Sequence, residues 1–476
     1  MTKLKRLQNA YNSEIFRKEG HQLIDKLADH LQNSFNNTNK KTFFWNPPED
    51  ELEFWKDYLE NGSSETFFDH LIQHSINIHN PKYIGHQISP TLPLMGLTGL
   101  TMSTLNNGMG IYEMGVAGTA IERIITDLLC KYIGFSDNSS GFLTAGGTLA
   151  NLTAILSARK AKISDDVWKN GATKKLAVMV SDQAHYCIER AVRIMGLGDE
   201  GLIKVPTNDD FTINTDLLEK YYNDTISKGI EIFAIVGSAP STATGIHDDL
   251  QILAQFSKAK DLWFHVDAAH GGGAIFSEKH KSLLEGISQA DSVVIDGHKM
   301  LMMPALTTAL LFKNENDSYE TFIQKADYLL EISGDKEWYN LAKRTFECTK
   351  HMMSIHWYAI IKHYGISMFD DFVTTLYDSG SEFSQLIEDD TNFELAIQPE
   401  SNIVCFRYFS TIKSHEELNI INQQIRQELL KDGEFYILQT QLRGLTYLRC
   451  SIMNPFTNKD HFTSLLSKIK SLVEQL

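Results

Sequence analysis

The sequence predicts an α/β fold with a mostly parallel central sheet, followed by a smaller C-terminal α+β unit. Two observations predict it. From about residue 95, short runs rich in Val, Ile, Phe and Ala alternate with helix-compatible segments, and the runs are apolar on both faces. Strands covered by helices on both sides need that pattern. After about residue 345 the order changes to a long helical stretch, and then to strands mixed with helices.

Taken in chain order, the first element is an amphipathic helix over about 10–35, with Ile15, Leu23, Ile24, Leu27 and Leu31 at helical spacing. Asn46-Pro47-Pro48 breaks the pattern, and a second helix is expected near Glu51–Leu59. Neither carries a chemical motif, so both read as packing or dimer elements. The expected strands are Leu176–Ser181, Ile232–Gly237, Trp263–Val266, Ser292–Ile295 and Thr308–Phe312. A helix from Leu149 to Lys160 follows a Gly-Gly-Thr turn. The later helical stretch carries Met352, Ile355, His356, Ile360 and Ile361. Beyond it lie strands at Phe393–Ile397, Ile403–Tyr408 and Thr446–Ile452, and helices at His415–Asp432 and Asp460–Gln475. The expected organisation is an N-terminal helical segment over 1–95, a large α/β domain over 96–350 and a small α+β domain over 351–476.

The chain has 476 residues, 42% of them hydrophobic, enough for a large core. A formal net charge of −16 argues against nucleic acid or an anionic membrane as partner. The five cysteines are scattered, with no CxxC pair, so neither a metal site nor a disulfide framework is expected. No apolar run approaches membrane-spanning length, and the N-terminus lacks an apolar leader core. A protein of a reducing cytoplasm is the expectation.

The chemistry-bearing residues follow the strands, where sites in open α/β sheets lie. His298-Lys299 follows one strand end, and a lysine there can be desolvated and lose its charge. A neutral amine can form an imine with an aldehyde. About thirty residues earlier, in VDAAHGG, Asp267 ends another strand. An anion there can keep a proton on the nitrogen of an aromatic heterocycle. The small Ala268 and Ala269 leave room for a flat ring. Gly146, Gly147 and Thr148 open a helix, whose free amides and dipole suit phosphate. His185 can stack on an aromatic face, and Thr242 can donate to a ring substituent or phosphate. Each feature alone has an ordinary structural explanation: a surface lysine, a helix-capping aspartate or histidine, a plain turn. Their conjunction, in order, points to one site.

The set GGTLAN (146–151), SDQAHY (181–186), VDAAHGG (266–272) and DGHK (296–299) resembles the group II pyridoxal-5'-phosphate-dependent amino-acid decarboxylases, from about residue 75 to the end. These include the glutamate, aromatic-amino-acid and diaminobutyrate decarboxylases. The resemblance implies a fold type I, aspartate-aminotransferase-like homodimer with the active site at the subunit interface. It implies pyridoxal 5'-phosphate bound as a Schiff base to Lys299. Asp267 would meet the pyridine nitrogen, His185 would stack on the ring, Gly147 and Thr148 would hold phosphate, and His298 would neighbour the cofactor. The family often has Asn where this chain has Asp296, whose role stays open. The segment from Asn80 to Pro90 resembles the family's substrate loop, which places His86 and Ser89 at polar contacts. Arg449 matches an arginine that would bind a substrate carboxylate, an ion pair within the fold being the alternative. The segment Asp335–Leu341 resembles the mobile catalytic loop, so Tyr339, or else His185, would protonate the intermediate. The implied reaction is decarboxylation of an L-amino acid to an amine. The rivals are oxidative decarboxylation to an aldehyde, transamination on the same scaffold, and a non-catalytic interaction protein.

Overall fold

The computed structural model describes residues 2–36, 41–322 and 337–475. Seven strands form the main sheet: β1 (Ser140–Thr144), β2 (Lys175–Ser181), β3 (Leu202–Val205), β4 (Ile230–Ser238), β5 (Trp263–Asp267), β6 (Ser292–Asp296) and β7 (Thr308–Phe312). Their order is β1-β7-β6-β5-β4-β2-β3. The pairings β2–β3, β2–β4, β4–β5 and β5–β6 are parallel. β7 is antiparallel to both neighbours, so β1 runs the same way as β6. Consequently β1, β2, β4, β5 and β6 all end at one edge of the sheet.

The strand sequences sort side chains onto two faces, because successive residues point opposite ways. In β2, Ala177 and Met179 join one core cluster, while Leu176, Val178 and Val180 join the other. On the second face lies the helix Gly147–Lys162, which meets the sheet through Ala150, Ala154 and Ala158. Residues four apart share a helix face, and alanines there allow a close approach. Each fully buried Val, Leu, Ile or Phe contributes about 1.5–3 kcal/mol.

The smaller sheet comprises β8 (Phe393–Leu395), β9 (Ile403–Tyr408), β10 (Leu438–Leu442) and β11 (Leu445–Ser451), in the order β10-β11-β9-β8, all antiparallel. Its core draws on the helices Ser367–Glu388, His415–Asp432 and Lys459–Val473. The N-terminal segment threads into this unit. Ile84 is buried in the same core, its amide donates to Tyr436 O at 3.0 Å, and its carbonyl accepts from Ser451 N at 2.8 Å.

Three strands depart from the sequence expectation: β1, β3 and β10 were not expected. All three lie at sheet edges. An edge strand has one strand neighbour and need not be apolar throughout, and β10 alternates half-buried and exposed residues up to the buried Leu442. The helix expected over about 10–35 is found at Ser13–Phe35, and an unexpected helix, Lys3–Ala10, precedes it; the Asn12 side chain, which accepts from the amides of Glu14 and Ile15, divides the two and starts the expected one. The long helical stretch likewise divides into Ser354–Tyr364 and Ser367–Glu388, at Gly365 with φ of 80°. Among the described residues, no helix is long and apolar enough to cross a membrane.

Candidate active site

The shared edge of β1, β4, β5 and β6 opens on a cavity of about 290 Å³. Its floor and walls include Gly146, Gly147, Thr148, His185, Thr242, Asp267, Ala269, His298 and Lys299, all named from the sequence.

The turn after β1 shapes one end. Gly146 has φ of +100°, a conformation that glycine takes freely. The first amides bonded within the new helix are those of Leu149 and Ala150, both to Gly146 O, so those of Gly147 and Thr148 point ahead of it. That is an anion site. A β-carbon on Gly147 would come to 3.1 Å from Asp296 Oδ2, so a side chain there would crowd the Asp296 carboxylate. Asn151 fixes this helix to its surroundings. Its amide donates to Gly147 O at 3.0 Å and contacts Cys187 Sγ at 3.4 Å, while Oδ1 accepts from His265 Nε2 at 2.7 Å.

Asp267 closes the opposite end. Oδ1 accepts from the Ala269 amide at 3.2 Å, and Oδ2 lies 3.9 Å from Cys187 Sγ. His185 caps the helix Tyr186–Ile194 and also lines the cavity. Its Nδ1 accepts from Cys187 N at 3.4 Å, which leaves the proton on Nε2. Burial holds its pKa below the usual histidine value, so the ring is a neutral donor. One atom each of His185, Cys187 and Asp267 lies within 4.8 Å of the others, a spacing that a cation could use. The nearby Lys299 charge, felt by both His185 and Cys187, opposes a cation there.

Lys299 departs from expectation in its charge. Burial alone would push its amine down, but the carboxylates of Asp296 and Asp267 outweigh that, and the pKa stands above the ordinary lysine value. The amine lies 3.1 Å from Asp296 Oδ2. His298 sits alongside, with Nδ1 3.0 Å from the carbonyl oxygen and 3.2 Å from the amide nitrogen of Thr307.

His270 and Asn402 form a pair without a role in the sequence reading. Asn402 Nδ2 donates to Ile452 O at 2.8 Å, so its Oδ1 faces His270 Nε2 at 2.8 Å and must accept. His270 Nδ1 is therefore an acceptor, and among the described residues it is buried with no partner. Burial, with Lys299 next in effect, pushes this histidine down to about 3. The two residues lie 132 apart in the chain, and no sequence pattern links them.

The substrate-side residues are placed as follows. Arg449, on β11, is 5% exposed, and its Nη2 donates to the carbonyl of Thr242 at 2.6 Å. Among the described residues no carboxylate pairs with it, so the ion-pair alternative is set aside, and its Nε is buried without a partner. His86 Nε2 lies 3.0 Å from the Tyr436 hydroxyl, and burial, then Arg449, lowers its pKa. Ser89 meets the site through its backbone: its amide donates to His298 O at 3.3 Å, while its hydroxyl turns to Pro90 O. Tyr339 is not brought to the cavity. It is 37% exposed and packs edge-on against Tyr112, with ring centroids 5.7 Å apart. Part of the expected catalytic loop, Asp335 and Lys336, lies outside the described residues.

Pyridoxal 5'-phosphate fits these residues on their own chemistry. An anion-binding helix start, a lysine, an aspartate and a buried histidine nitrogen with no partner among the described residues line one space of suitable size.

Residues 69–409, more than half of the chain, match the family model of the pyridoxal-dependent decarboxylase conserved domain. An aromatic-L-amino-acid decarboxylase from Bacillus atrophaeus is 25% identical over 476 residues, covering 98% of this chain and 97% of the relative. An aspartate 1-decarboxylase from Aliivibrio fischeri is 28% identical over 451 residues, covering 85% and 81%. Among solved structures, the glutamate decarboxylase domain of diaminobutyrate-pyruvate transaminase and L-2,4-diaminobutyrate decarboxylase from Vibrio parahaemolyticus has a TM-score of 0.84. Its identity is 25%, and the match covers 96% of each chain.

Proposed function

Because the chain belongs to the pyridoxal-dependent decarboxylase family, we propose that it removes the α-carboxylate of an L-amino acid, giving an amine and CO2. The observation that carries this reading is the convergence of Lys299, Asp267, His185 and the Gly146–Thr148 turn on one cavity. The relatives differ in the side chain of their named substrates and share decarboxylation.

Pyridoxal 5'-phosphate, when bound, supplies an electron sink for the pair left at the substrate α-carbon. Lys299 holds the cofactor through its amine. Asp267, an anion at the end of β5, keeps a proton on the ring nitrogen. The amides of Gly147 and Thr148 take the phosphate, with Thr242 and His298 at its margins, and Ala269 leaves space for the ring. Arg449, unpaired by any carboxylate among the described residues, orients an anionic group of the substrate, as its planar fork suits. His86 and Ser89 shape the same approach. His185, with its proton on Nε2 and its ring on the cavity wall, is the donor to the α-carbon.

We also infer a cytoplasmic homodimer with the site at the subunit interface, organised as 1–95, 96–350 and 351–476. The helix Leu94–Leu105 supports the dimer: it has no charged residue, yet only Met95 on it is buried.

The test is a product screen. The purified holoenzyme is incubated with each common amino acid and with 2,4-diaminobutyrate, and amine, aldehyde and CO2 are measured by mass spectrometry. Equal amounts of amine and CO2 from at least one substrate are expected. Aldehyde with hydrogen peroxide would select the oxidative rival, and no product from any substrate would reject the reading.

A further inference from the structure

This inference rests on the reading of Lys299 as the cofactor lysine and concerns the neighbour whose role the sequence left open. Asp296 ends β6 and is 2% exposed. A carboxylate so buried needs compensating partners. Oδ1 accepts from the hydroxyl of Thr308, its register partner on β7. Oδ2 lies 3.5 Å from His298 Nε2 and 3.1 Å from Lys299 Nζ. Both oxygens also face the start of the helix Gly147–Lys162, whose amide end is positive. Of the two side chains within ion-pair distance among the described residues, Lys299 is the nearer.

The other groups facing the amine decide whether this pair matters. From β5 comes Asp267, a second anion but a weaker influence than Asp296. From the helix Tyr186–Ile194 and its cap come Cys187 and His185, and from the turn after β5 comes His270. Burial keeps the thiol protonated and both imidazoles neutral. Asp296 is therefore the principal group opposing loss of the amine's charge.

We propose that Asp296 is the docking partner of the Lys299 amine whenever that amine is not bonded to the cofactor, holding it as an ammonium ion at the end of β6. Before the amine can bond again it sheds one proton to solvent. Asp296 is thus a positioning residue: it sets where the free amine rests and how readily it becomes a nucleophile. The arrangement also keeps a buried carboxylate paired during the interval in which the lysine is free.

The test reads the amine directly. The full-length chain, freed of cofactor, is pulse-labelled for seconds with acetic anhydride across a pH series, and acetylation of Lys299 is measured by peptide mass spectrometry against exposed lysines. Only the neutral amine reacts. In the unaltered chain, Lys299 labelling should have its midpoint above the ordinary lysine value of about 10.4. Asp296→Asn, which keeps the shape and removes the charge, should lower the midpoint by about one to three pH units. At a fixed pH near 8 that is at least a tenfold rise in Lys299 labelling, with the exposed lysines unchanged. Equal labelling of Lys299 in both chains, within twofold, overturns the proposal. Should Asp296→Asn fail to fold, a midpoint at or below the ordinary value of about 10.4 in the unaltered chain overturns it as well. The underlying reading is checked separately: pyridoxal 5'-phosphate added to Lys299→Ala should give no visible absorbance band of the lysine-bound cofactor. A band there would reject Lys299 as the cofactor lysine, whatever Asp296 does.

Discussion

Asp267 and Asp296 face the same lysine from the ends of adjacent parallel strands, yet their surroundings assign them different work. Asp296 is enclosed by Thr308, His298 and Lys299. Asp267 spends one oxygen on the Ala269 amide and lines the cavity. On the proposed reading, an amide at 267 would leave the ring nitrogen without its counter-charge. Asp267→Asn should therefore lower the decarboxylation rate at least about a hundredfold, about 2.7 kcal/mol in the barrier, and weaken cofactor binding. Steady-state rates and a cofactor titration check this, and unchanged values in both would remove Asp267 from the site. Tyr339 is the contrasting case. Its ring packs on Tyr112 at the surface, so Tyr339→Phe should still give amine and CO2 in equal amounts, within about twofold of the normal rate. Aldehyde from that variant would show that the tyrosine reaches the substrate after all. Motifs made these residues legible in different degrees. Lys299 and Asp267 each follow a strand that the sequence shows, and the Gly146–Thr148 turn is marked by its glycines and the helix it opens. His270 lies inside a recognisable motif, but its role depends on Asn402, a contact that only the tertiary fold creates.

Among the elements, the strands with two neighbours were readable because both their faces are buried, as in β5, β6 and β7. The edge strands β1, β3 and β10 carry shorter or more polar sequences and gave no such signal. The loop after β4 shows how an element end is fixed by one buried charge. Asp248 accepts from the amide of Ser238 at 2.8 Å and from that of Ile213 at 2.8 Å, tying the end of β4 to the segment that follows β3. Burial raises its pKa from 3.8 to about 6. The folded chain therefore binds this proton more tightly than the unfolded chain does. The stabilisation from that proton is complete below pH 3.8 and is lost as the pH rises to about 6. The change is on the order of 3 kcal/mol. Asp248→Asn cannot ionise, so its urea midpoint should change less between pH 4 and pH 7 than that of the unaltered chain. Parallel pH profiles for the two would show that Asp248 titrates alike in the folded and unfolded chains.

For the molecule as a whole, the helix Leu94–Leu105 presents a surface that the described residues do not cover. A helix with no charged residue on any face is suited to an interior. Here Leu97, Leu100 and Leu105 are 51%, 43% and 56% exposed, and Tyr112, Met114 and Val116 continue the apolar stretch at 40%, 49% and 51%. Contiguous apolar surface of this kind marks an association site. A closed twofold dimer would bury the same helix from both copies. The second cavity, whose walls include Met95, Gly99 and Met102, shares Ala145 and Leu306 with the cofactor cavity, so a partner packed on this helix would stand close to the chemistry. Sedimentation equilibrium should give a mass of two chains. Leu100→Glu would place a charge in the centre of the joint, where desolvation without a partner is costly. It should yield monomers that keep their secondary structure and lose most of their decarboxylase activity, with activity returning only as protein concentration rises. A variant that stays dimeric, or one that is monomeric and fully active, would separate the active site from this surface.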